Sequence, residues 1–240
     1  MNLIIDIGNT STKIAVYNGD EKVEAFRTNQ LKCEQIEKKF SRYRIKKAII
    51  SSVRIVPPFV YDLLSVNIPF VHLLSHKSDL PFTIGYETPE TLGTDRIAGV
   101  AGAYKQYPGA NVLVIDAGTA ITYDFLHGSV YEGGNISPGI EIRFRALNRY
   151  TGKLPHLKMD ENFHSPAKST AGAITAGVIN GVVYEINEYI RTFEKSPGTP
   201  VVILSGGDSG FLKDKISHSF AYMPEIVTDG LNYILEYNAK

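Results

Sequence analysis

Three aspartates stand where a carboxylate can do chemistry. Asp6 and Asp116 each close a short apolar run, Leu3-Ile4-Ile5-Asp6-Ile7-Gly8 and Leu113-Val114-Ile115-Asp116-Ala117-Gly118, and they lie 110 positions apart. Asp95 sits in Leu92-Gly93-Thr94-Asp95-Arg96, directly after a long polar stretch. An aspartate that ends a buried strand points its carboxylate out of the sheet edge, where it can hold a cation, most simply Mg²⁺ through water. The glycine two residues on lets the backbone turn tightly and lets phosphate oxygens reach main-chain N–H groups. Thr10 and Ser11, and Thr119 in the second copy, add neutral donors, and Lys13 can reach phosphates as a point charge. One such loop reads equally well as an ordinary strand-ending turn. Two in matching register, each between a buried strand and a hairpin, point to paired phosphate loops and a nucleotide polyphosphate between two lobes. Asp95 is a candidate general base, with Arg96 beside it for an anionic group. Its plain alternative is an acid at a helix start, favoured by the macrodipole; both readings can hold together.

The elements that must position these groups follow from periodicity and turn signals. After Asp6, Thr12–Tyr17 alternates, Asn18-Gly19 marks a hairpin, and Val23–Arg27 returns. Glu34–Tyr43 has apolar residues four apart and reads as an amphipathic helix, followed by a strand at Lys47–Ser51, a helix at Pro57–Ser65 and a strand at Phe70–Leu74. Ser75–Leu92 is polar and broken by Pro81, Gly85 and Pro89, a long loop of the kind that often carries function. Thr94 opens a helix to about Lys105 whose small residues, Ala98, Gly99, Ala101 and Gly102, imply close packing against another element.

From Asn111 the pattern restarts. Strands are expected at Val112–Ile115, Ile121–Leu126 and Val130–Glu132, with a turn at His127-Gly128. A helix follows Ser137-Pro138-Gly139, a long helix spans Thr170–Phe193, a strand at Val201–Leu204 ends in Ser205-Gly206-Gly207-Asp208, and Glu225–Tyr237 is the last helix. Tyr184, Tyr189 and Phe193 have helical spacing, which suits core or a dimer face. The expected division is residues 1–110 and 111–240, with the last helix free to return to the first lobe. Strands alternating with helices in two related halves give an α/β fold.

Composition narrows the function classes. Lys+Arg and Asp+Glu are both 25, so a main role in holding nucleic acid, which favours a basic excess, is not expected. Cys33 is the only cysteine, which excludes an intrachain disulfide and a cysteine-based zinc site. The six histidines form no His-x-x-x-His pair. The N-terminal apolar run is too short for a secretion signal and no run reaches membrane-spanning length, so a cytoplasmic protein with no membrane partner is expected.

Asp6-Ile7-Gly8-Asn9-Thr10-x-x-Lys13 and Asp116-x-Gly118-Thr119-Ala120-x-Thr122 resemble the paired phosphate loops of the acetate and sugar kinase, heat-shock protein and actin superfamily. Gly93-Thr94-Asp95-Arg96 resembles the Gly-x-Asp-Arg motif of type III pantothenate kinases. Gly134-Asn135-Ile136-Ser137-Pro138-Gly139, Ser169-Thr170 before Ala173-Ile174, Leu204 to Asp208 and Pro224 to Leu231 agree in order. The resemblance implies two actin-like (ribonuclease H-like) lobes related by internal duplication, with an ATP cleft between them. It implies ATP-dependent phosphorylation of pantothenate at its terminal hydroxyl, the entry step to coenzyme A, by a homodimer.

Carried over by position, Asp6, Gly8, Asn9, Thr10, Ser11, Thr12 and Lys13 would hold the ATP phosphates and Mg²⁺, with Thr119 contacting them from the other lobe. Asp95 would be the general base, and Tyr86, Gly93, Thr94, Arg96 and Thr170 would line the pantothenate site. Asp116 would ligate a monovalent cation, potassium or ammonium. The chain departs from the family pattern at Ser169, at Thr175-Ala176 and at Ser209. Another small alcohol or sugar as acceptor, or a nucleotide-binding regulator without catalysis, are the alternatives.

Overall fold

The computed structural model describes residues 1–239, with every side chain among them but that of Ser41. Its first sheet is built from β1 (Asn2–Ile7), β2 (Thr12–Asn18), β3 (Glu21–Thr28), β4 (Lys47–Ser52) and β5 (Phe70–Leu73), in the order β3-β2-β1-β4-β5. β1 and β2 pair antiparallel, while β1, β4 and β5 run parallel. Every residue of β1 is buried, as expected for a central strand covered on both faces. Helices α1 (Cys33–Arg42) and α2 (Pro58–Asn67) connect the parallel strands, and Ile36, Val60 and Leu64 join Leu3, Ile5, Ile14 and Val16 in one core.

The second sheet holds β6 (Thr83–Ile84), β7 (Asn111–Ala117), β8 (Ala120–His127), β9 (Val130–Pro138), β10 (Val201–Ser205) and β11 (Ala221–Tyr222), in the order β11-β10-β7-β8-β9-β6. Leaving out β6, this is the order of the first sheet read from the other end: β9-β8-β7-β10-β11 matches β3-β2-β1-β4-β5. The duplication read from Asp6 and Asp116 is therefore also a duplication of topology. Over this sheet lie α4 (Ile140–Arg149) and α5 (Thr170–Phe193), with the short α6 (Ser209–Leu212) after β10, burying Phe144, Ile179, Val182 and Ile186 against Leu113, Ile115 and Tyr123. Tyr189 stacks on Tyr123 with ring centroids 3.7 Å apart and Phe193 is buried, whereas Tyr184 is 68% exposed.

Two readings shift in detail. The hairpin turns centre on Gly19-Asp20 and Gly128-Ser129, one residue later than expected, because β2 and β8 run through Asn18 and His127. Gly19 and Gly128 have φ of 61° and 60°, so each glycine takes the left-handed first turn position that suits the twist of the flanking strands. The polar loop before Leu92 contributes β6, which pairs parallel with β9, and β9 extends to Pro138, beyond the expected Glu132.

The chain divides into two compact units. One comprises Met1–Gly109, Leu126–Gly133 and Glu225–Lys240; the other comprises Ala110–Phe125 and Gly134–Pro224. Within the first unit, α3 (Thr94–Gln106) packs on α7 (Ile226–Asn238). Small residues let the two backbones meet: a Cβ on Gly102 would lie 2.4 Å from the Ile226 carbonyl oxygen. α7 is also tied to the sheet. Asn2 Nδ2 donates to Asn232 Oδ1 at 2.8 Å, Tyr17 OH donates to Asp229 Oδ1 at 2.6 Å, and Lys47 pairs with Glu236 at 2.8 Å.

Candidate active site

In the first unit β1 delivers Asp6 to the sheet edge, with Lys13 opposite on β2 and Ser51 opposite on β4. Asp6 is only 8% exposed, and its Oδ1 accepts no hydrogen bond among the described residues. Burial, then the nearby negative charge of Asp95, pushes its carboxyl up to about 6; Lys13 and a hydrogen bond from Ser51 oppose that rise. Gly8 N donates to Ser11 O at 3.0 Å, closing a four-residue loop on which Asn9 and Thr10 are exposed. Thr12 is fully buried and its hydroxyl oxygen also has no partner among the described residues.

Thr94 begins α3 and is clamped to the end of β4. Its Oγ1 lies 3.0 Å from Ser51 Oγ and accepts from Ser52 N at 3.1 Å. Asp95 follows in the first helical turn, half-buried, and its Oδ1 accepts from Arg96 N at 2.8 Å. It is thus both a first-turn acid and a carboxylate within electrostatic reach of Asp6. Arg96 is buried, with its guanidinium carbon 5.7 Å from the centre of the Tyr86 ring. Gly133, at φ +123°, makes room for that ring, since a Cβ there would lie 3.1 Å from Tyr86 Cδ2.

Gly93 is required by the carboxylate beside it. A Cβ at this position would stand 2.6 Å from Asp95 Oδ1, so Gly93→Ala should rotate the carboxylate away while leaving the helix intact. The expected result is at least a tenfold loss of kcat, since small misplacements of a reacting group are costly, with Tm within about 2 °C of the parent. Steady-state kinetics beside thermal denaturation checks this.

In the second unit β7 brings Asp116 to its strand end, half-buried and opposite Ser205 of β10. Gly118 N donates to Ala120 O at 3.0 Å, so this closed loop is one residue shorter than its counterpart, and Thr119 is exposed at its tip. Gly139 N donates to Thr119 O at 3.1 Å, and a Cβ on Gly139 would come within 2.1 Å of the Gly118 carbonyl oxygen. On the other side Gly206, at φ +97°, approaches Ala117 so closely that a Cβ would lie 2.2 Å from its carbonyl oxygen. Gly206-Gly207-Asp208 therefore buttresses the Asp116 loop, with Asp208 N donating to Ala117 O at 2.8 Å. Burial, with Glu141 adding to it, raises the Asp208 carboxyl.

Thr170 is the exposed first residue of α5, whose N-cap Ser169 accepts from Gly172 N at 3.1 Å. Arg143 and Arg145 have separate partners, Glu185 at 2.6 Å and Glu141 at 2.8 Å. Burial alone would raise Glu185; bonds from Arg143, Ser137 and Tyr123 overcome it and hold the acid below its usual range.

The first unit thus gathers Asp6, its loop, Tyr86 and Gly93 to Arg96. Asp116, Thr119 and Thr170 belong to the second. Sequence reasoning missed Ser51 and Ser52, whose only signal was that the buried run from Lys47 ends in two hydroxyl side chains. It also missed Gly133, hidden because its partner Tyr86 lies in a distant loop.

Matching the chain against known proteins, the family described as type III pantothenate kinase covers residues 2–192. The chain belongs to the type III pantothenate kinase family. A relative of that name from Phocaeicola vulgatus is 42% identical over 242 residues, covering all of both chains. Among solved structures, a candidate Baf family transcriptional activator from Campylobacter jejuni superposes with a TM-score of 0.61 at 22% identity, covering 99% of this chain and 98% of that one. A candidate 2-dehydro-3-deoxygalactonokinase from Sinorhizobium meliloti gives 0.59 at 12% identity, covering 100% and 98%. These last two establish a shared fold, a duplicated α/β architecture. Membership of a kinase family implies ATP and a divalent metal.

The residues present suit that metal. Asp6 offers a buried anionic oxygen without a donor at a strand end, and among the described residues no three metal-ligating side chains gather into a cage. Mg²⁺ held by one carboxylate, water and substrate phosphates needs no more. The carboxylate carries a cost in stability. With its pKa raised from 3.8 to about 6, ionised Asp6 destabilises the fold; the cost is absent below about pH 4, grows as pH rises to about 6, and stays constant above. In chelator-treated buffer Asp6→Asn should therefore stabilise the protein by about 1–3 kcal/mol at pH 8 and by almost nothing at pH 4. Melting curves at both values test it, and an Asn variant that is less stable at pH 8 would refute the assignment of strain to this carboxylate.

Proposed function

We propose that this chain transfers the γ-phosphoryl group of ATP to the terminal hydroxyl of pantothenate, giving 4′-phosphopantothenate and ADP, the first step of coenzyme A synthesis. The observation that carries the reading is the Asp95 carboxylate at the start of α3, held by Thr94 at the end of β4 and close enough to Asp6 for their charges to interact. An alcohol kinase needs a phosphate loop, a carboxylate for the acceptor proton and an anchor for the acceptor. Gly8 to Lys13 serve the first role, Asp95 the second, and Arg96 with Tyr86 the third. Thr119 is assigned to phosphate and Thr170 to pantothenate.

Phosphoryl transfer runs through a loose transition state, so positioning and charge compensation dominate. Asp95 takes the hydroxyl proton as the new O–P bond forms and the bond from the γ-phosphorus to its bridging oxygen breaks, leaving ADP. Arg96 pairs with the pantothenate carboxylate, a contact suited to a planar guanidinium. When bound, Mg²⁺ neutralises phosphate charge beside Asp6. Asp116 holds a monovalent cation, potassium or ammonium, its half-buried carboxylate supplying the charge.

The working unit is a homodimer. Tyr184 on α5, Ile136 on β9 and Ile142 on α4 are exposed apolar side chains, and a second copy covering them accounts for their retention; light scattering reads the mass directly. No helix among the described residues is long and apolar enough to cross a membrane.

The deciding experiment is ADP release with ATP, Mg²⁺ and pantothenate, in potassium and then in sodium alone. Pantothenate-dependent turnover that requires potassium is expected. Turnover only with another alcohol or sugar moves the acceptor assignment, and ATP binding without turnover makes the chain a regulator.

A further inference from the structure

Polar groups at the end of β4 meet the start of α3. Thr94 Oγ1 lies 3.1 Å from Ser52 N, 3.2 Å from Ser52 O and 3.0 Å from Ser51 Oγ, and Ser51 stands opposite Asp6 in the pairing of β4 with β1. The Thr94 hydroxyl has one proton; it accepts from the Ser52 amide and donates to the Ser52 carbonyl at 3.2 Å, so at the 3.0 Å contact it accepts from the Ser51 hydroxyl. Ser51 is fully buried on a strand paired to β1, with Asp6 as its direct register partner. Linked bonds in a buried site reinforce one another.

We infer that Ser51 is a positioning residue that couples the phosphate loop to the acceptor loop, fixing the spacing of Asp6 and Asp95 through Thr94. The inference rests on the kinase reading above but concerns a residue that touches neither substrate. Through this chain the start of α3 is pinned to the strand beside β1, so the carboxylate on the next residue is held relative to the phosphate-binding end of the sheet. The same bonds occupy the Thr94 hydroxyl. Thr94 therefore serves the acceptor site by orienting Asp95 more than by offering its own oxygen.

Four variants test this: Ser51→Ala, Ser51→Thr, Thr94→Val and Thr94→Ser. Ser51→Ala and Thr94→Val should each lower kcat roughly 10–100-fold, with KM for ATP and for acceptor within about threefold, as expected when reacting groups are misplaced by a fraction of an ångström. The double variant should be no worse than the poorer single one, because both break the same chain. Ser51→Thr or Thr94→Ser, which keep the hydroxyls, should recover most of the rate. Full kcat in Ser51→Ala, additive losses, or folded hydroxyl-keeping variants without recovery would each overturn the inference.

A second readout does not depend on the acceptor. The side-chain carboxyl ¹³C resonance of Asp95 should shift in Ser51→Ala and return in Ser51→Thr; if Ser51→Ala leaves it unmoved, the coupling does not exist. Should the parent protein fail to phosphorylate pantothenate, the kinase reading falls on that result alone, and the resonance still decides the role of Ser51.

Discussion

Replacing Asp95 by Asn lowers kcat by about 10²–10⁴-fold, the range for loss of a general base, while ATP binds within about threefold of the parent affinity. Asn keeps the shape of the side chain, and its carbonyl can still accept from Arg96 N as Oδ1 does at 2.8 Å. The helix start is preserved and only the proton acceptor is lost. Thr94 still grips the end of β4, so the acceptor loop stays where it is. Rapid-mix kinetics with isothermal titration of ATP distinguishes this outcome from a binding defect. A rate within threefold of the parent would remove Asp95 from the chemistry, leaving it the ordinary acid of a first helical turn.

The second large effect is on stability. In Gly230→Ala the new Cβ would lie 1.8 Å from Ala98 O, 2.7 Å from Gly102 N and 2.8 Å from Ala98 C. All three are backbone atoms of α3, so no side chain can rotate out of the way and the helices must separate. Overpacking against side chains costs about 1–3 kcal/mol; here the cost should exceed about 3 kcal/mol, lowering Tm by on the order of 10 °C for a chain of this size. Activity should suffer in the folded fraction too, since α3 carries Asp95 on its first turn. Calorimetry on the variant checks it, and a Tm within 2 °C of the parent would show that the helices do not meet as closely as described.

Much of this was legible in the residues because the signals are local. Asp6 and Asp116 close apolar runs and stand before a glycine, and the central strands and these carboxylates fall where those short patterns put them. The small residues of α3 announced a close partner without naming it; only the fold reveals α7, more than a hundred residues on. β6 escaped because two residues have no periodicity and its partner strand lies across a helix. The Ser51 to Thr94 contact joins positions 43 apart, and nothing in a serine at a strand end states what it faces. Gly206 follows a strand with no local sign of what it meets, and its approach to the Ala117 carbonyl supplies the reason for a glycine there. Turn centres slipped by one residue because strand pairing, not the Asn-Gly pair alone, decides where a hairpin closes.

The grip of α7 on β1 and α3 has a consequence during synthesis. Asn2 and Tyr17 leave the ribosome well before their partners Asn232 and Asp229, which follow 230 and 212 residues later. Residues 110–125 and 134–224 contain their own core, whereas the helix bearing Asp95 waits for residues 226–238 before its packed face is covered. The nascent protein therefore holds an unfinished first unit until residues 226–238 have emerged, and long-range closure of this kind is slow relative to local folding. α7 thus acts as a latch: the helix that carries Asp95 is braced only once residues 226–238 have packed against it.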